Sequence, residues 1–211
     1  MGIRSDSEWT GETSMAKKRQ GTISRKTKET EIEVEFGLEG TGNYDVVTDV
    51  PLFTHLLELF TKHGNFDLVM RASGDVEVDF HHLVEDVGIV LGQAFKQGIG
   101  DKRGIRRYGT AHVPMDESLS RVCIDISGRP YLLYEVVIDE PLIVHFNAQL
   151  AEEFFRAFAH SAEITLHIDL LRGNNAHHAI EAIFKAFGVA LRMASELSNP
   201  GGDIPSTKGT L

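Results

Sequence analysis

The chain has 211 residues, of which 42% are hydrophobic and 25% charged, and it carries 21 Lys+Arg against 31 Asp+Glu, a formal net charge of −10. This is globular composition, long enough to bury a substantial core, and too acidic for general nucleic-acid binding, which needs clustered positive charge. No apolar run reaches the roughly 18 residues of a membrane helix, so no membrane contact is expected, and the single Cys123 excludes an intrachain disulfide and fits a cytoplasmic setting.

Residues 1–20 are polar and mixed in charge; they read as a flexible arm, not as a signal or transit peptide. Residues 30–36 alternate with period two, as a half-buried strand does, and the glycine-rich stretch 37–43 reads as a hairpin turn. A helix follows Pro51 and ends near Gly64; two strands are expected over 66–73 and 76–80, then a helix from His82 to Gln97 that stops at Gly98. The pattern then restarts: strands over 105–113, 120–127 and 131–137, a helix over 149–161, a strand over 163–171 and a long helix over 175–197. The tail 199–211 is loop-like. The expected fold class is therefore α+β and internally duplicated, with two similar halves, 21–104 and 105–198, each a roughly four-stranded sheet covered on one face by two helices.

The restart is visible in the residues themselves. HHLVEDVGIVLGQAF from His81 matches HHAIEAIFKAFGVAL from His177, and HLLELF from His55 matches EFFRAF from Glu153. General amphipathicity explains the shared apolar positions but not the repeated His-His-x-x-Glu, which places His81, His82 and Glu85 in one half and His177, His178 and Glu181 in the other. On a helix the first His and the Glu, four apart, share a face. Adjacent His residues point about 100° apart, so one metal hardly takes both. The doublets suggest two metals, or one ligand and one bystander. Imidazole with carboxylate and no thiolate suits Mn, Fe, Zn, Co or Ni. His55 and Glu153 occupy equivalent places and are further candidate ligands.

Together with FTHLLELFTKHGNFDL, SGRPYLLYE and the terminal IPSTKGTL, these motifs make the chain resemble the imidazoleglycerol-phosphate dehydratases of histidine biosynthesis, over about residues 22–211. The resemblance implies a lyase that dehydrates imidazole glycerol phosphate to imidazole acetol phosphate with two Mn(II) ions per active site. It implies one ion held by His81, His177, Glu181 and Glu153, and the other by His55, His82, Glu85 and His178. Many relatives carry His where this chain has Glu153; carboxylate is also a competent Mn ligand. By resemblance Glu181 is the base and Glu29 assists the leaving water. Arg107, Arg129, Lys185, Ser206 and Lys208 match phosphate-contact positions, and planar guanidinium groups suit phosphate oxygens. The resemblance further implies a homo-oligomer of 24 subunits with sites at subunit contacts.

Residue by residue, plainer readings stand beside these. Arg107 lies in a basic cluster that reads equally as a solvated face, Lys185 forms an i,i+4 pair with Glu181 that helices use anyway, and Glu29 reads equally as an exposed strand carboxylate. A dinuclear phosphatase and a metal-storage protein are the rival functions: the first releases free phosphate, and the second has no need of Arg129, Lys185 or Lys208.

Overall fold

A computed structural model describes residues 18–211; apart from its last three residues, the arm expected over 1–20 lies outside them. The first half comprises β1 (Gln20–Lys26), β2 (Thr30–Gly37), β3 (Tyr44–Thr48), α1 (Pro51–Gly64), β4 (Asp67–Gly74) and α2 (His81–Ile99). The second comprises β5 (Tyr108–Met115), β6 (Ser118–Asp125), β7 (Tyr131–Glu135), the short β8 (Leu142–Ile143) and β9 (Phe146–Asn147), α3 (Leu150–Ala162), β10 (Thr165–Arg172) and α4 (Ala176–Ser195).

Local chemistry accounts for these elements. In β2 the alternation buries Ile32, Val34 and Phe36 and turns Glu31, Glu33 and Glu35 to solvent. Pro51 opens α1, where its missing N–H costs nothing, and Asn65 closes the helix at φ 50°. The Asn175 side chain accepts from the His177 and His178 amides and caps α4.

The two sheets have the same strand order, β1-β2-β4-β3 and β5-β6-β10-β7, each with its last pair parallel and the others antiparallel. The expected class, two four-stranded halves each with two helices, is borne out. Each pair of helices covers its own sheet and also meets the helices of the other half, α1 on α4 and α2 on α3. One continuous apolar cluster runs through both halves. At its centre Phe154, Phe155, Phe158, Phe184 and Phe187 are fully buried and in mutual contact. Burying each such ring is worth about 1.5–3 kcal/mol.

The duplication extends to the closest backbone contacts. A Cβ on Gly92 of α2 would lie 2.7 Å from the Phe158 carbonyl oxygen of α3, and one on Gly188 of α4 would strike the Phe60 carbonyl oxygen of α1. Gly92 and Gly188 correspond in the repeat, as do Phe60 and Phe158. The absent side chains let the helix pairs approach to backbone contact.

Three expectations are corrected. Residues 37–43 are not a hairpin turn, because β3 pairs in parallel with β4 at the sheet edge and not with β2. Residues 76–80 form no strand: Val78 is 67% exposed and its amide turns back to the Asp75 carbonyl. The helix expected to stop at Gly98 runs on to Ile99 and ends at Gly100, with φ 63°. Gly98 lies inside the last turn, where a Cβ would come 2.7 Å from Leu38 Cδ1, so its role is close packing and not helix termination. The short β8–β9 hairpin had no alternation to announce it.

Candidate active site and metal centre

The four helices bring the histidines of both halves to their ends and edges. Because α1 packs on α4, His55 meets the second motif: its Nε2 lies 3.0 Å from Glu181 Oε1, and His177 Nε2 lies 2.8 Å from the same oxygen. One ligand atom from each of the three residues falls within a 4.8 Å group. Lys185 Nζ donates to Glu181 Oε2 at 2.7 Å and lies 3.3 Å from Met115 Sδ. Burial alone would push the Glu181 carboxyl up; the Lys185 ammonium, with His55 and His177, outweighs it and holds the group at about 2. The resemblance had assigned His55 to one ion and His177 and Glu181 to the other; within one chain these three sit together.

The first motif opens on the other helix pair. His81 Nε2 is 3.8 Å from Glu85 Oε2 across one helical turn. Glu85 and Glu153 line one groove of about 460 Å³ between α2 and α3, with Arg156 and His160. Arg156 is 3.9 Å from Glu153 and also pairs with Glu152. In both motifs the adjacent rings stand nearly perpendicular, at 85° for His81 and His82 and 81° for His177 and His178.

The second histidine of each doublet contacts a carboxylate from a turn. His82 Nδ1 lies 3.1 and 3.2 Å from the two Asp75 oxygens, and His178 Nδ1 lies 2.8 Å from Glu117 Oε2. Hydrogen bonding to Asp75 raises the His82 pKa, and hydrogen bonding to Glu117 raises that of His178. Glu29 sits in the β1–β2 turn with Oε2 4.0 Å from His82 Nδ1. The buried Asp86 of α2 holds that turn in place, accepting from Thr30 Oγ1 and pairing with Arg25 at 3.1 Å. Asp75, Asp86 and Glu117 lie outside the His-His-x-x-Glu motifs. Asp86 had a signal, a carboxylate on the buried face of an amphipathic helix; Asp75 and Glu117 are turn acids that only the folded chain aligns.

Four of the five expected phosphate contacts lie elsewhere. Arg107 makes a two-pronged pair with Asp125 at 2.7 and 3.2 Å and donates to the Pro205 carbonyl at 2.8 Å. Its side chain is only 13% exposed, so it is no solvated face. The Arg129 amide donates to Ser127 Oγ, and the Lys208 amide to Ser206 Oγ, in the tail that Arg107 tethers. Among the described residues, no hydrogen bond or ion pair joins Arg107, Arg129, Ser206 or Lys208 to the histidines. The strand register explains this. Arg107 precedes the start of β5, whereas Glu117, beside His178, follows its end. Eight extended residues span about 27 Å. Lys185 alone of the five joins the histidine cluster.

The family model of imidazoleglycerol-phosphate dehydratase matches residues 48–191, which contain both His-His-x-x-Glu motifs. The chain belongs to the imidazoleglycerol-phosphate dehydratase family. The relative from Caldanaerobacter subterraneus subsp. tengcongensis is 54% identical over 193 residues, covering 92% of this chain and all of the relative. The relative from Aromatoleum aromaticum is 55% identical over 194 residues, with the same coverage. Crystal structures of imidazoleglycerol-phosphate dehydratase agree with the fold. That from Pyrococcus furiosus has a TM-score of 0.78 at 38% identity, covering 90% of this chain and all of its own, and that from Staphylococcus aureus has 0.75 at 42%, covering 83% and 97%.

Proposed function

We propose that this chain dehydrates imidazole glycerol phosphate to imidazole acetol phosphate, a step of histidine biosynthesis, with two Mn(II) ions per active site. The observation that carries the reading is the convergence of His55, His177 and Glu181 beside Lys185, in a chain of the dehydratase family. Two imidazoles and a carboxylate without thiolate form a donor set that fits Mn(II). The ligands are drawn from His55, His81, His82, Glu85, Glu153, His177, His178 and Glu181. When bound, the ions supply Lewis acidity and a template for the substrate ring.

The protein's own groups account for the proton movements. The reaction takes a proton from one carbon and hydroxide from its neighbour, and the enol product tautomerises to the ketone. Glu181, ionised at neutral pH, accepts the proton; Glu29, exposed on its turn beside His82, relays a proton from solvent water to the leaving hydroxyl, which departs as water. A carboxylate at about 2 is a weak base, and Lys185 is one cause of that value. Drawing the Lys185 ammonium to the substrate phosphate raises the basicity of Glu181 when substrate is present. Arg107, Arg129, Ser206 and Lys208 supply the remaining phosphate contacts.

The separation of those four residues from the histidines within one chain favours sites completed by a second copy, in a homo-oligomer of 24 subunits. Val137, Leu142 and Val144, 67–80% exposed between β7 and α3, suit subunit contacts. Among the described residues, no helix is long and apolar enough to cross a membrane. The free Cys123 favours a cytoplasmic setting.

The deciding experiment incubates Mn(II)-reconstituted protein with imidazole glycerol phosphate. Appearance of the keto product without free phosphate supports the dehydratase; release of free phosphate identifies a metallophosphatase instead.

A further inference from the structure

The duplication pairs residues that the two motifs alone do not. Gly21 of β1 lies against the Ala94 carbonyl of α2, and Gly109 of β5 lies against the Ala190 carbonyl of α4. The 88-residue offset between these glycines also separates Glu29 from Glu117. Each of these glutamates immediately precedes the second strand of its sheet, β2 or β6. Glu29 and Glu117 are thus the same residue of the repeat, and each faces the second histidine of its half.

They face it differently. Glu117 Oε2 lies at hydrogen-bonding distance from His178 Nδ1, 2.8 Å, while its Oε1 accepts from the Asn174 and Asn175 amides at 3.4 and 3.0 Å. One carboxylate therefore holds both the ring and the start of the helix that carries it, since Asn175 caps α4. In the first half the work is divided. The Glu29 carbonyl accepts from the Asp75 amide at 3.1 Å, and the Asp75 carboxylate takes His82 Nδ1. The Glu29 side chain is left 4.0 Å from that nitrogen and 55% exposed. The second half has Gly173 and Asn174 after β10 and no acid at the place of Asp75; Asp116, the other acid near His178, lies 3.7 Å from its Nε2 and not at Nδ1.

We propose that Glu117 and Asp75 are positioning residues that hold His178 and His82 as Nδ1–H tautomers with Nε2 left as the acceptor nitrogen, and that Asp75, by taking His82, leaves the Glu29 carboxylate free for substrate. A neutral imidazole has one donor and one acceptor nitrogen, and a carboxylate at Nδ1 keeps the proton there. The Nε2 lone pair is then left as the acceptor for a metal ion; Asp116 Oδ2, 3.7 Å from His178 Nε2, is beyond hydrogen-bonding distance and does not compete with Glu117 for the ring proton. The release of Glu29 for chemistry rests on the function proposed above; the tautomer assignment does not.

The test compares wild type with Glu117→Gln and Asp75→Asn in the full chain. A glutamine whose oxygen stays on the Asn175 amide turns its NH₂ to His178 Nδ1, which must then accept, moving the ring proton to Nε2. Long-range ¹H–¹⁵N spectra of metal-free, histidine-labelled protein should show His178 change tautomer in Glu117→Gln and His82 in Asp75→Asn. Mn(II) titration followed by the signal of the free ion should show affinity reduced about 10–100-fold, with the melting midpoint of the metal-free protein near wild type. Unchanged tautomers, or wild-type Mn(II) affinity alongside a lowered metal-free midpoint, overturn the proposal and leave the carboxylates purely structural. A wild type that binds no Mn(II) overturns the metal reading instead, and the tautomer spectra then decide the positioning roles alone.

Discussion

His55 of α1 and Glu181 of α4 meet at 3.0 Å, Nε2 to Oε1, across 126 residues of sequence. The contact goes with Gly188, which lets α4 lie against the α1 backbone at Phe60, about one and a half turns beyond His55. Glu181, the proposed base, is thus placed by helix packing between the halves, not by either half alone.

Glu181→Gln should keep substrate binding and lose turnover by orders of magnitude. Steady-state kinetics with a separate measurement of ligand affinity checks this. Turnover near wild type would remove Glu181 as the base.

Exhaustive chelation should abolish activity, and Mn(II) should restore it. If the proposed sites take ligands from different chains, metal binding is linked to assembly, and light scattering should show the particle shrink on chelation. Activity in demetallated protein would sink the two-metal scheme, and an unchanged particle would make assembly metal-independent.

Gly92→Ala and Gly188→Ala should each destabilise by about 1–3 kcal/mol, because the obstacle each new methyl meets is a helix carbonyl and not a movable side chain. Denaturant unfolding of metal-free protein reads the loss. Gly201→Ala makes no new contact, since nothing lies near a Cβ there, but its φ of 77° still strains an alanine; exposed Ser24→Ala on β1 is the cleaner control and should change little.

Metal-free protein should lose stability in acid partly through Glu181. Its folded pKa, about 2, lies below the ordinary 4.5. Its contribution is therefore fully present above the unfolded value and is lost as the pH falls through 4.5 toward 2. Melting midpoints measured from neutrality down into this range should fall less steeply in Glu181→Gln. Equal slopes would mean that the Lys185 and histidine contacts do not favour the ionised carboxylate.

Charge-neutralising Arg129, Lys185 or Lys208 should raise KM for the phosphorylated substrate without altering Mn(II) stoichiometry. A protein serving only to store metal would show neither loss nor change.

Much of this protein was legible in the chain alone. The α+β class, the duplication, all four helices and both histidine motifs follow from hydrophobic periodicity and from residue types that amphipathicity does not explain, since period and composition are local properties. Tertiary structure decided the rest. It placed β3 beside β4 and not β2, grouped His55 with His177 and Glu181, enlisted the turn acids Asp75 and Glu117, and set Arg107 and the tail a strand's length from the histidines. Each depends on which surfaces meet across dozens of residues, and that is set by how glycine-lined helices and paired strands pack, which no spacing within a single element encodes.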